Sequence, residues 1–193
     1  EDYQGAPLTT DKNFDHSALG EGKRAAELLC TIYSAKYGIE TKIARCFSFI
    51  GPHLPLDIHY AIGNFIGDGL KGREIRVNGD GSQYRSYLYS ADLVRWLWTI
   101  LVQGESCRVY NVGSDHAVTI KELAYLTASC FEPQSDVVIA KKAEKKSSEN
   151  RYVPGINRAR NELGLDVFTS LLEAIRRTVG YHKKLRKKSD SNY

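Results

Sequence analysis

Two residues four apart, Leu19 and Lys23, lie in the run Ser17-Ala18-Leu19-Gly20-Glu21-Gly22-Lys23-Arg24-Ala25-Ala26-Glu27-Leu28-Leu29. On a helix they stand one turn above each other on the same face. The lysine brings a fixed positive charge, whereas the leucine can exchange no proton. A second cation, Arg85, sits in Ser82-Gln83-Tyr84-Arg85-Ser86-Tyr87-Leu88-Tyr89. A guanidinium can fork two N–H groups onto a diphosphate, and its plainer use is a surface ion pair. Asp92 complements the dipole of a helix start better than it serves any reaction. His53 and His59 have no third ligand at metal-site spacing, so no metal is expected. Cys30, Cys46, Cys107 and Cys130 lie in apolar runs without C-x-x-C spacing, the pattern of free buried thiols in a reducing compartment.

The elements that position these residues follow from periodicity. Ala25, Leu28, Leu29 and Ile32 recur at helical spacing, with Ser17 as the cap and Gly38 as the left-handed stop, which predicts a helix with a buried apolar face. Residues 1–16 read as a loop. Thr41 to Phe47 is β-branched and apolar, as a strand buried on both faces should be. Its end, Cys46-Phe47-Ser48-Phe49-Ile50-Gly51-Pro52, is where open α/β sheets place ligands, although for Phe47 and Phe49 core packing is the preferred reading. Ile58 to Leu70 reads as a helix ending at Gly72, Ile75 to Val77 as a strand, and Asn78-Gly79-Asp80-Gly81 as a turn. Ser90 is placed as the cap of a helix with Leu93, Trp96, Leu97, Ile100 and Leu101 inward and Gly104 at its end. A strand over 107–112, a Thr119–Glu122 capping box with a helix through Phe131, and a strand over 137–140 come next. Residues 141–150 read as a charged loop. A short helix from Asn157 is stopped by Gly164, and a Ser170–Glu173 capping box opens the last helix. Lys183 to Tyr193 reads as a frayed basic tail.

The chain has 193 residues, 42% hydrophobic and 26% charged, ordinary for a globular α/β body. Its net charge of +4 comes largely from the C-terminal lysines and arginines, so no nucleic-acid footprint spreads across the fold. No apolar run approaches the ~20 residues of a membrane span. Neither nucleic acid nor membrane is expected as a partner.

Five stretches in one order resemble the extended short-chain dehydrogenase/reductases: Gly20 to Glu27, Lys42 to Phe47 leading to Gly51-Pro52, Val77 to Gly81, Arg85 to Tyr89 with Asp92, and Tyr110-Asn111-Val112-Gly113. Within them the chain is similar to the NAD-dependent nucleotide-sugar epimerases and dehydratases of the dTDP-glucose 4,6-dehydratase type. The resemblance implies residues 1–52 as the remainder of a doubly wound, Rossmann-type NAD-binding domain. It implies 53–183 as a smaller α/β substrate-binding domain, with 184–193 a basic tail. It further implies NAD as cofactor and a nucleotide-diphosphate sugar as substrate in a cytoplasmic enzyme. Lys23 would hold the nicotinamide ribose, with Leu19 at the position of the proton-transferring tyrosine. Cys46 and Phe47 would line the nicotinamide, and Ser48, Arg85, Asn111 and Arg151 the nucleotide sugar, the cations converging on one cleft. A homodimer through the helix carrying Lys23 is implied as well. The family's glycine-rich pyrophosphate loop has no match here, and the chain contains no methionine, so a C-terminal fragment is expected. An inactive relative kept for binding or assembly is the alternative, because Leu19 removes the phenol.

Overall fold

The computed structural model describes residues 14–58, 60–141 and 150–190. In chain order it forms helix α1 (Phe14–Tyr37), strands β1 (Ile43–Cys46) and β2 (Phe49–Ile50), helix α2 (Ala61–Leu70), and strands β3 (Ile75–Val77), β4 (Tyr84–Arg85) and β5 (Leu88–Tyr89). Helix α3 (Ser90–Gln103), strands β6 (Val109–Val112) and β7 (Val118–Thr119), helix α4 (Ile120–Ala128), strands β8 (Val137–Ile139) and β9 (Arg151–Tyr152), and helices α5 (Asn157–Leu163) and α6 (Leu171–Asp190) complete it. The pairs β1–β6, β2–β5 and β3–β8 are parallel, and β4 lies between antiparallel β7 and parallel β9. The fold is therefore the mixed α/β type with parallel strands that the sequence implies.

A parallel pair must be covered on both faces, and β1–β6 shows how. Ile43 aligns with Val109 and Ala44 with Tyr110, so alternate residues face opposite sides. Ile43, Arg45 and Val109 border the space under α1 together with Glu27 and Thr31. Tyr110 and Val112 instead join Trp96 and Ile100 of α3 and Ile156 and Ala159 around α5 in one core. A second core packs Ile62, Phe65 and Ile66 of α2 against Leu123 and Ala124 of α4, Ile175 and Val179 of α6, and Ile75 and Val77 of β3. The two cores interleave along the chain, since residues 88–112 and 156–167 return to the first after the chain has entered the second.

Local signals hold at several ends. Gly38 takes φ +66° and its N–H bonds Ser34's carbonyl at 2.9 Å, stopping α1. Gly164 stops α5 at φ +63°. Thr119 and Glu122 form the reciprocal capping box at α4, and Glu173's N–H donates to Ser170 Oγ at 3.3 Å at the start of α6.

Other expectations are corrected. The α1 stripe is not buried: Leu28, Leu29 and Ile32 are 60%, 52% and 45% exposed. The half-buried positions are Gly20, Arg24, Glu27, Cys30 and Ser34, because the sheet under α1 is two strands wide and meets only that side. The helix begins at Phe14, so Ser17 lies inside it, not at its cap, and 14–16 are not loop. Residue Tyr89, not Ser90, caps α3; Ser90 instead packs on Gly51, where any Cβ would stand 2.2 Å from its Oγ. Along α3 only Trp96 and Ile100 of the predicted stripe are fully buried, Leu97 and Leu101 being exposed on the far side. Asp92 is 4% exposed and accepts Thr169's N–H at 2.8 Å, tying α3 to the approach of α6. The strand expected over 107–112 starts at Val109, and Ile58 precedes α2 without joining it. Helix α6 continues to Asp190, so the basic tail is helical through that residue. The four cysteines are free, but Cys46 is exposed and the others half buried. Expectations for residues 1–13, His59 and 142–149 lie outside the described residues.

Candidate functional site at the carboxyl edge of the parallel pair

The site is built by the docking of α1 on β1. Arg45 donates from Nε and Nη2 to the two carboxylate oxygens of Glu27, each at 2.7 Å, a bidentate pair that fixes the height of the helix over the strand. That charge-assisted contact holds Glu27's carboxyl below its ordinary range, with burial acting the other way. At the opposite end of the strand, Ser34 and Thr41 hydrogen-bond the Cys107 thiol and lower its pKa. Helix and strand therefore run antiparallel. One turn from Glu27 toward the helix start is Lys23, and one residue from Arg45 toward the strand end is Cys46. Burial raises the Cys46 thiol's pKa, with the Lys23 charge acting the other way. Leu19 stands a further turn out, 68% exposed.

Beyond Cys46 the Phe47 N–H donates to Val112's carbonyl at 3.0 Å, and the Phe47 ring stacks on Tyr152 at 4.9 Å between centroids. Gly113 is needed here, since a Cβ would come within 2.8 Å of Pro154 and 3.1 Å of Phe47. Ser48 is half buried and its carbonyl accepts Leu88's N–H at 3.0 Å. Asn111, 5% exposed, spends its amide N–H on Gly155's carbonyl at 3.0 Å, pinning the approach to α5 against β6.

The arginines part company. Tyr84 aligns with Arg151 and Arg85 with Tyr152, so the two guanidiniums are one residue out of register and leave opposite faces of the β4–β9 ribbon. Arg151 lies over the Tyr84 ring at 5.3 Å. Arg85, on the face of Tyr152 and so toward Phe47, donates from Nη1 to the carbonyl of Tyr84 at 2.7 Å and to Asn150 Oδ1 at 3.1 Å. The expected convergence of the cations on one cleft is therefore not met by Arg85 and Arg151, which leave opposite faces of the ribbon.

Further along α1 from Leu19 lie two phenols. Tyr33 and Tyr37 stack on one another at 5.3 Å two and more turns along α1, and burial pushes Tyr87 up to about 12, which keeps it protonated near neutrality. Among the described residues no group of three or more metal-ligating side chains exists. Sequence reading missed the Glu27–Arg45 pair and the Tyr152 platform. Tyr152 follows Arg151 directly in an already recognised segment, but the pair links residues 18 apart with no local pattern.

Past the parallel β1–β6 pair the Phe47 and Tyr152 rings meet, at the carboxyl end of the strands where open α/β sheets place ligands. The chain belongs to the NAD dependent epimerase/dehydratase family, whose model matches residues 5–113. It is 31% identical over 174 residues to UDP-glucuronic acid decarboxylase 1 of Danio rerio, covering 90% of this chain and 41% of that protein. It is likewise 31% identical over 159 residues to UDP-glucuronic acid decarboxylase 6 of Arabidopsis thaliana, covering 82% and 46%. Among solved structures it resembles UDP-glucose 4-epimerase of Thermotoga maritima with UDP-glucose (TM-score 0.76, 24% identity, 86% of this chain and 53% of that one). A dTDP-glucose 4,6-dehydratase of Bacillus anthracis in complex with NAD is similar too (TM-score 0.73, 19% identity, 94% and 55%). The chain thus spans roughly two fifths to one half of these proteins' lengths.

Proposed function

We propose that this chain forms the substrate side, and the last strand and helix of the cofactor side, of a protein that binds NAD and a nucleotide-diphosphate sugar. The observation that supports this is the Glu27–Arg45 clamp, which docks α1 on β1 one helical turn from Lys23 and one residue from Cys46. The residues fit NAD in part: Lys23 stands where an ammonium can hold the nicotinamide ribose, with Cys46 and Phe47 beside the ring. The phenol is missing at Leu19. When bound, NAD would supply a hydride acceptor for a sugar carbon. Arg85 and Ser48 would receive the diphosphate, Arg85 by exchanging its contact with Asn150 for phosphate oxygens. Arg151 would reach the same ligand only by leaving Tyr84. In this reading residues 1–52 belong to the cofactor side and 53–183 to the substrate side, and the free thiols fit a cytoplasmic setting.

The exposed Leu19 favours a second reading, a relative that binds without turning over. The full-length protein carrying this chain should show bound NAD by absorbance yet no turnover of UDP-glucuronic acid, UDP-glucose or dTDP-glucose. Leu19→Tyr should restore turnover by about 10²–10⁴, the range for a positioned general acid or base. Absence of both NAD and nucleotide-sugar binding would overturn the proposal. Wild-type turnover would overturn the inactive reading alone.

A further inference from the structure

We propose that the outward face of α3 is a self-association surface, on which a second copy of this chain packs its own α3 antiparallel across a two-fold axis at Trp98. Trp96 and Ile100 of this helix are buried in one core with Tyr110 and Val112 of β6, on the face of the β1–β6 pair opposite α1. The residues half a turn round point straight away from the sheet. They are Ala91, Val94, Trp98, Leu101 and Val102, all exposed, Trp98 by 63% and Val102 by 72%. The helix has two charged residues: Asp92 is buried, and Arg95 lies 4.3 Å over the Phe168 ring at one flank. A helix apolar on its outward as well as its inward side belongs inside a larger body, and α3, with 14 residues, is too short to cross a membrane.

Direction, symmetry and area all point to a second copy. Helices in one layer of an α/β sandwich touch one another sideways, so any further strands of this sheet would bring helices to the flanks of α3 and not over Trp98. Val94 and Val102 lie four residues to either side of Trp98, so a two-fold axis there sets Val94 of each copy against Val102 of the other. Residues 94, 98 and 102 form one i±4 ridge, and two such ridges interdigitate in the commonest class of helix packing. The face carries no charge, so bringing two copies together opposes no like charges. Val94, Leu97, Trp98, Leu101, Val102 and Phe168, each 39–72% exposed, leave on the order of 500 Å² of apolar side chain in water. Two copies would bury about 1,000 Å², the area at which a specific interface begins. The contact is separate from the dimer through α1 that the family resemblance implies, since α1 covers the other face of the sheet.

The test follows mass and the exposure of Trp98 together in the full-length protein carrying this chain. Acrylamide quenching of tryptophan fluorescence, taken as the difference between wild type and Trp98→Phe, reports on that ring alone. Trp98 should be shielded at ~100 μM and accessible at ~0.1 μM, with a twofold fall in sedimenting mass over the same dilution. Trp98→Glu should weaken association at least roughly 30-fold, the range of a tryptophan at the centre of an interface, with an unchanged melting curve at the lowest concentration. Trp98→Cys should give a disulfide-linked dimer on mild oxidation, above the wild-type background. Ala91→Cys should not, because seven residues from the axis it stands about 20 Å from its own copy. Trp98 shielded at every dilution, which would mean cover by its own chain, Trp98 accessible at every concentration, wild-type association in Trp98→Glu, or equal cross-linking at 91 and 98 would each overturn the proposal.

Discussion

Replacing Glu27 by glutamine tests whether one ion pair sets the position of α1. The pair is bidentate at 2.7 Å, with side chains 26% and 29% exposed, so water screens it only partly. Hydrogen bonds to charged groups contribute about 1.5–3 kcal/mol, and partial exposure reduces this to about 1–2 kcal/mol. In a chain of this size that lowers Tm by about 2–8 °C. The sign with pH follows from Glu27's depressed pKa. In the folded protein the carboxylate is favoured, so its contribution is full above the ordinary glutamate value of about 4.3 and is lost as pH falls below it. Thermal melts of wild type and Glu27→Gln should differ at pH 7.5 and draw together only as pH falls through the depressed folded value, below the ordinary glutamate range. The local effect is larger than the global one: with the clamp gone, α1 loses its bidentate tie to β1, and under the proposed function the placement of Lys23 would be lost with it. In the full-length protein, NAD affinity should fall more than stability predicts. Melts that coincide at neutral pH, or a gap undiminished however far the pH is lowered below the ordinary glutamate range, would refute the reasoning.

Trp96 is fully buried and its Nε1–H donates to Asp166's carbonyl at 3.0 Å, so Trp96→Ala should cost about 3–5 kcal/mol and lower Tm by roughly 10 °C or more. His182 is held below its ordinary value by burial, with Arg186 and His53 adding positive charge nearby while Pro52's carbonyl favours the proton. Because the unfolded chain binds that proton more readily, stability should rise with pH toward about 6.5 and be lost below it. His182→Gln should flatten that segment of the Tm–pH curve, and an unchanged slope would assign the titration elsewhere.

What could be read from the sequence was local. Gly38 and Gly164 stop helices because a left-handed residue follows the last turn, and Thr119 with Glu122 closes a box within four residues. Both follow from spacing alone. The apolar stripe of α1 was equally clear as a stripe, but which side of a helix is buried depends on what lies under it. Here a sheet of two strands meets Glu27 and leaves Leu28, Leu29 and Ile32 in water. Along α3, the same spacing that put Trp96 and Ile100 inward could not exclude Leu97 and Leu101, since all four satisfy a helical period. The width of the covering surface decides, and it is not encoded in the stripe.

The arginines show the limit most sharply. Segments around 85 and 151 could each be assigned to an anion, and both do meet, as neighbouring strands β4 and β9. Yet strand side chains alternate with a period of two, so a pairing shifted by a single residue changes which face every side chain occupies. Tyr84 opposite Arg151 gives a ring under a guanidinium on one face, and Arg85 opposite Tyr152 gives a guanidinium beside the aromatic platform of Phe47 on the other. Register is set by Asn150's carbonyl, which accepts the N–H of Tyr84 at 2.9 Å, and by the Arg85 contact to the same residue. A phosphate that draws Arg85 away from Asn150 therefore also removes a tether of β9. Under the proposed function, ligand binding on one face of the ribbon would thereby be coupled to the freedom of Arg151 on the other.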